Sequence, residues 1–312
     1  MKPRLRLVGL TLAVAAGAFF LHRAWQAFHT VDFRPWWSWP VGIAFAGLCL
    51  LSLVQVPLTA IAWRRILRDL GLMLSAGGAY AILATTQFAK YLPGNVAQHL
   101  GRVAVARRFV CDVPRVALSL LYENAVALLV GTHLAAALLL LGPGHLATRP
   151  WLPRVSPLLL LSGVTIVALA ALLLLPWLLG RIRRVTTGGA PLGARLSVSG
   201  AACCYAVFLF NFAAVGLGFS WMLQAMVPGA EVTAWHLTSA FATAWVIGLL
   251  APGAPAGLGV REAVLLALLP GTVPQAAAVT SILLLRIATT LADLLHFWAG
   301  TTQLPREIAR LP

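Results

Sequence analysis

Carboxylates are scarce in this chain: 312 residues carry eight Asp and Glu against 23 Lys and Arg. Lysine is scarcer, because 21 of those basic residues are arginine and only Lys2 and Lys90 remain. With 10% of residues charged, no stretch between the apolar runs can clothe a soluble domain of useful size. The four cysteines, Cys49, Cys111, Cys203 and Cys204, lack metal-ligand or disulfide-framework spacing and read as small apolar side chains. The histidines, His22, His29, His99, His133, His145, His236 and His296, include no pair at metal spacing, so no metal site is expected. Ser119, Ser239 and Ser281 have no recognisable base or elbow, and no phosphate-binding loop is present. These absences argue against an enzyme: no catalytic residue and no cofactor is expected, nor direct ATP drive.

What the chain has is apolar length. Hydrophobic residues make up 60% of it, with a mean hydropathy of +0.89. Apolar segments fall at about 7–28, 40–63, 77–101, 116–141, 157–179, 199–226, 236–269 and 276–300, so the solvent is mostly lipid. The first follows Lys2, Arg4 and Arg6 like a signal peptide, but His22, Arg23 and Trp25 offer no cleavage site; an uncleaved helix is expected. Trp36, Trp37, Trp39, Trp63, Trp151 and Trp177 lie near segment ends, as interfacial anchors do. The net charge of +15 sits in short clusters beside apolar segments, a pattern that orients a membrane protein and does not suit nucleic acid.

Two segments are broken. Residues 251–262 read APGAPAGLGVRE, and residues 90–95 read KYLPGN. Proline removes a backbone donor and glycine permits sharp reversal, so neither block is a straight spanning helix. Backbone freed at membrane depth is tolerable only beside protein or a watery cavity. If both blocks are re-entrant, sixteen basic residues share the cytoplasmic side with both termini, against Arg23, Arg34, Arg149 and Arg154 outside. The expected fold is therefore all-α: a single integral membrane domain of about six transmembrane helices plus two re-entrant hairpins. Each half, about 1–142 and 157–303, makes three crossings, so the halves are expected as inverted repeats with the hairpin tips meeting between them.

Charges within apolar segments are costly and mark the candidate site. Lys90, Arg261 and Arg286 face Glu123, Glu262 and Asp293 in number, three of each sign. Lys90 is either a phosphate ligand or a salt-bridge partner of Glu123 or Glu262, and Arg261 divides evenly between substrate contact and structural pairing. Arg102 is either a head-group contact at the cytoplasmic mouth or a simple interfacial charge. Glu123 and Glu262 read as structural or gating partners. Arg286 and Asp293, seven apart, share one face of the last helix. Asn95, Gln87 and Gln98 either line a cavity or cap and bridge helices.

The run QFAKYLPGN, then Gly101-Arg102, Glu123 and PAGLGVRE, resembles the lysylphosphatidylglycerol synthase transmembrane-region family, the flippase-like membrane proteins. The resemblance spans about 40–300 and implies an integral membrane fold that moves an aminoacylated phospholipid between leaflets in its best-known members. Those also carry a soluble synthase domain; this sequence ends at Pro312 without one, so lipid aminoacylation is not expected. The family's second motif usually reads PGGLG, whereas residue 256 here is Ala. Together these observations predict a translocase for an anionic or glycosylated lipid, a phospholipid or polyprenyl-linked lipid, in a bacterial inner membrane. Lys90 and Arg261, with Arg102 or Arg286, would hold the phosphate, and Glu123, Glu262 and Asp293 would neutralise them when the site is empty. A homo-oligomer, or partners among lipid-biosynthesis enzymes, is compatible with this. The alternative is a non-transporting accessory subunit of an envelope-lipid or glycolipid biosynthesis complex.

Overall fold

The computed structural model describes Trp25 and residues 38–91, 97–110, 112–141, 156–187, 195–251 and 255–309. No strand occurs among them. The helices are α1 (Trp39–Leu53), α2 (Gln55–Asp69), α3 (Ala76–Gln87), α4 (Ala97–Ala106), α5 (Val113–Leu141), α6 (Pro157–Thr187), α7 (Val198–Met226), α8 (Ala234–Leu250), α9 (Val260–Leu268) and α10 (Gln275–Ile308). Two short 3₁₀ turns, Phe88–Tyr91 and Pro255–Gly257, sit between α3 and α4 and between α8 and α9.

Among the described residues, four stretches are long and apolar enough to cross a membrane: Trp39–Asp69, Val113–Leu140, Val198–Met226 and Gln275–Ile308. The chain is thus an all-α, multi-pass membrane protein. Large apolar side chains face outward, such as Ile43 and Leu50 on α1 and Ile166 and Val167 on α6, as lipid-facing helices require. Serine and threonine hydroxyls inside the bundle donate back to carbonyls a turn earlier, for example Thr86 to Ile82 at 2.8 Å and Thr289 to Leu285 at 3.0 Å. The expected first helix at 7–28 lies outside the described residues.

Trp39–Asp69 is broken at Val54 for a local reason. Pro57 has no N–H, so the Leu53 carbonyl loses its helical partner. His296 of α10 supplies one instead: its Nε2 lies 2.8 Å from Leu53 O, while Tyr80 Oη lies 2.9 Å from Nδ1. A carbonyl can only accept, so Nε2 carries the proton and Nδ1 accepts from the tyrosine.

Each broken block folds back on itself. Leu72, Leu74 and Ala79 at the start of α3 share one apolar cluster with Ala106 at the end of α4. At the start of α8, His236 Nε2 lies 3.0 Å from Leu268 O at the end of α9. The hairpins open at opposite ends of the bundle. The first opens where α10 ends, since Ser75 Oγ, which accepts the Gly78 amide at 2.9 Å, donates to Glu307 at 2.7 Å. α2 ends there too, and its Asp69 accepts the Ser197 amide at 3.1 Å at the start of α7. The second hairpin opens where α7 ends and α10 begins.

Helix contact is closest where glycine removes a side chain. On α10, a β-carbon at Gly300 would stand 2.7 Å from Ala84 Cβ and 2.8 Å from the Thr85 amide of α3. On α5, one at Gly131 would stand 2.7 Å from Val246 Cγ2 of α8. The first arm of each hairpin is thus held by a long helix from the other half of the chain.

Trp63 departs from expectation. It is fully buried, and its Nε1 donates to Ser119 Oγ at 2.9 Å. The helix continues to Asp69, which carries Trp63 well inside the protein rather than to an interface. Trp39 and Trp177 are exposed, at 82% and 60%. Trp36, Trp37 and Trp151 lie outside the described residues.

Candidate functional site

The two 3₁₀ turns lie against one another, and beside them opens a cavity of about 200 Å³. Its walls come from both hairpins and from α1, α2, α5, α7 and α10. Lys90, Arg102, Glu123, Arg261, Arg286 and Asp293 all line it; Glu262 stands behind the wall, 4% exposed. Asn95 lies outside the described residues, while Gln87 and Gln98 line the cavity.

Three ion pairs organise these charges. Lys90 Nζ donates to Asp293 Oδ2 at 2.6 Å, and the same oxygen accepts from Tyr91 Oη at 2.7 Å. This ties the first turn to α10. Arg102 Nη1 donates to both carboxylate oxygens of Glu123 at 2.8 Å, with the two residues 4% and 5% exposed. Arg286 Nε pairs with Glu262 Oε1. The returning arm of each hairpin is therefore latched to the helix that follows it by one arginine and one glutamate, with the signs exchanged: arginine on α4 and glutamate on α5, but glutamate on α9 and arginine on α10.

Two expectations change here. Lys90 meets neither Glu123 nor Glu262, because those carboxylates are taken by arginines and Asp293 is the acid that α10 brings to the turn. Nor is Arg102 a charge at the mouth: it is buried with its partner, below the Trp63 ring at 5.7 Å. The buried set is thus four cations against three carboxylates, and the expected balance fails by one positive charge.

That surplus falls on Arg261, which makes no ion pair among the described residues. Its guanidinium lies 5.9 Å from the centre of the Trp245 ring, and its Nε has no hydrogen-bond partner. Glycines decide how it reaches the cavity. A β-carbon on Gly248 would stand 2.5 Å from Arg261 Cγ, and one on Gly257 would stand 2.7 Å from its Nε and 3.0 Å from the Gly248 Cα. The arginine side chain runs through a slot that these two positions leave open. Gly257 and Gly259 have φ of 67° and 80°, and Ala256 has 50°, a left-handed conformation that a side chain resists. Glycine, usual at that place in the motif, would adopt it freely.

An uncharged wall adds to the lining, built by Gln55 and Thr59 of α2, Asn124 of α5 and Asn211 of α7. Sequence reasoning passed over these residues, together with Tyr91 and Trp245. The signal for the amides was present, since Asn124 and Asn211 interrupt 29-residue helices that are otherwise almost wholly apolar. No group of three or more His, Cys, Asp or Glu that could hold a metal occurs among the described residues.

With Glu262 behind its wall counted, the cavity thus has one cation more than it has carboxylates among the described residues and is edged by backbone turns at two interrupted helices. No curated protein matches the chain. The family defined as the lysylphosphatidylglycerol synthase TM region, a membrane domain associated with lipid flippase or synthase-related functions, matches residues 6–295. The chain belongs to that family.

Proposed function

We propose that the protein is a translocase that moves an anionic lipid between the leaflets of a bacterial inner membrane, and that it is not an enzyme. The head group enters the cavity while the tails remain in the bilayer. The phosphate meets Arg261, the surplus cation, and Lys90 and Arg286 turn toward it by loosening their carboxylates. Six crossings, two inverted halves and cytoplasmic termini accord with hairpins that open at opposite ends, and with the gathering of Arg64, Arg65, Arg68, Arg195 and Arg306 about the end where α2 and α10 finish. Exchange then follows from rocking one half against the other.

The observation that carries this reading is the unpaired Arg261 inside the cavity. A partly buried cation with no ion-pair partner among the described residues is held unfavourably, and an incoming phosphate relieves that cost. The test is leaflet exchange of fluorescent phosphatidylglycerol and phosphatidylcholine in proteoliposomes, comparing wild type with Arg261→Gln at matched reconstitution. Exchange that favours the anionic lipid and is lost in the variant supports the proposal. If folded wild-type protein exchanges no anionic lipid, the proposal fails and the accessory-subunit alternative takes its place.

A further inference from the structure

We propose, building on the translocase reading, that the uncharged wall of the cavity selects a head group that carries hydroxyls beside its phosphate, with Asn211 as the reading residue. The argument begins at Thr59. Its hydroxyl donates to Gln55 O at 2.8 Å, so toward Asn211 it can only accept. Asn211 must therefore turn Nδ2 to it, at 3.2 Å, and this leaves Oδ1 without a partner. Asn211 is 7% exposed and lines the cavity, and an orphaned carbonyl at such a place favours whatever can donate to it.

A phosphate cannot satisfy it, because phosphate oxygens and Asn211 Oδ1 are all acceptors. A donor is needed, and the donor must be neutral. An ammonium would meet Lys90, Arg261 and Arg286 in the same cavity, while both lining carboxylates are already committed, Asp293 to Lys90 and Tyr91 and Glu123 to Arg102. A hydroxyl donates without charge. Gln55, whose side chain makes no hydrogen bond among the described residues and which lines the same wall, can accept and donate in turn, as vicinal hydroxyls require. Of the other groups on this wall, Ser52 has given its one proton to Leu48 O at 2.8 Å and Asn124 one of its two to Leu120 O at 2.7 Å, and neither has an orphaned buried acceptor as Asn211 does. The cavity therefore has a cationic side for one phosphate and an amide side for its polyol.

The experiment uses wild-type protein in proteoliposomes with four labelled lipids: phosphatidylglycerol, phosphatidylinositol, a polyprenyl-phosphate hexose and phosphatidylpropanol. Phosphatidylpropanol keeps the single phosphodiester charge but has no hydroxyl. Loss of one hydrogen bond in a buried site predicts that it exchanges roughly tenfold more slowly than the best hydroxyl-bearing lipid. The first three distinguish a glycerol, a ring polyol and a sugar as the source of those hydroxyls. Asn211→Leu should erase the difference between phosphatidylpropanol and the hydroxyl-bearing lipids. Thr59→Val, which keeps the side-chain shape but frees the Asn211 amide, should shrink it too, and serves if the first variant does not fold. Equal exchange of phosphatidylglycerol, phosphatidylinositol, the hexose lipid and phosphatidylpropanol by wild type overturns the inference and leaves the translocase reading standing. A difference that survives in both variants overturns Asn211 as its source. Absence of exchange for all four overturns both proposals.

Discussion

Gly248 and Arg261 are so close that a single methyl group on the glycine would stand 2.5 Å from the arginine Cγ. Either Gly248→Ala or Gly257→Ala should therefore expel the Arg261 side chain from its slot. Leaflet exchange is expected to fall as far as in Arg261→Gln although the arginine is still present. Ala256→Gly should act in the opposite sense on stability, relieving about 1 kcal/mol of left-handed backbone strain, and should raise the Tm of the detergent-solubilised protein. A Gly257→Ala protein with full activity would refute the slot.

The Arg102–Glu123 latch is buried on both sides, so its halves should be far more damaging to remove singly than together. Glu123→Leu or Arg102→Met alone is expected to cost about 3–5 kcal/mol by stranding a charge, whereas the double variant should recover most of that. Thermal unfolding of the four proteins of the double-mutant cycle measures the coupling. Additive losses would mean that the pair does not act as a unit.

His296, Leu53 and Pro57 form another coupled set, because the histidine serves a carbonyl that the proline has orphaned. His296→Leu should destabilise by about 1–3 kcal/mol in the native background. In a Pro57→Ala background, where the residue 57 amide can bond the Leu53 carbonyl, the same change should cost less. Equal losses in both backgrounds would assign the histidine's role to Tyr80 alone.

The sequence showed which charges lie inside apolar segments and hid how they are joined. Proline and glycine at 252–259 and 93–94 announced broken helices, because nothing else in an apolar run interrupts a helical ladder so reliably. Charges inside apolar segments were equally plain. Their partners were not, because Lys90 reaches Asp293 across 203 positions and two helices between them, α5 with Glu123 and α9 with Glu262, could have offered an acid. Arg102 was misplaced for a related reason: it stands close to Arg107 and Arg108, and only the fold shows that α4 turns the first inward while those two remain exposed. Trp63 was misread because an apolar segment seemed to end beside it, while the helix itself runs six residues further. Asn211 could have been seen. An amide amid the apolar residues of α7 is costly enough to need a use, even though its partner on α2 is beyond the reach of sequence spacing.

The slot also bears on what kinds of change this protein can undo. While Arg261 occupies it, any side chain at 248 or 257 is excluded, so selection for the arginine also holds both glycines. Should 261 mutate to a small residue, that protection lapses and either glycine is free to drift to alanine. Arginine could not then return at 261 by a single step, since the passage it needs would already be filled. Loss of this one cation is thus a one-way door, and on the proposed reading a lineage that passes through it must bind its ligand by another group or abandon it.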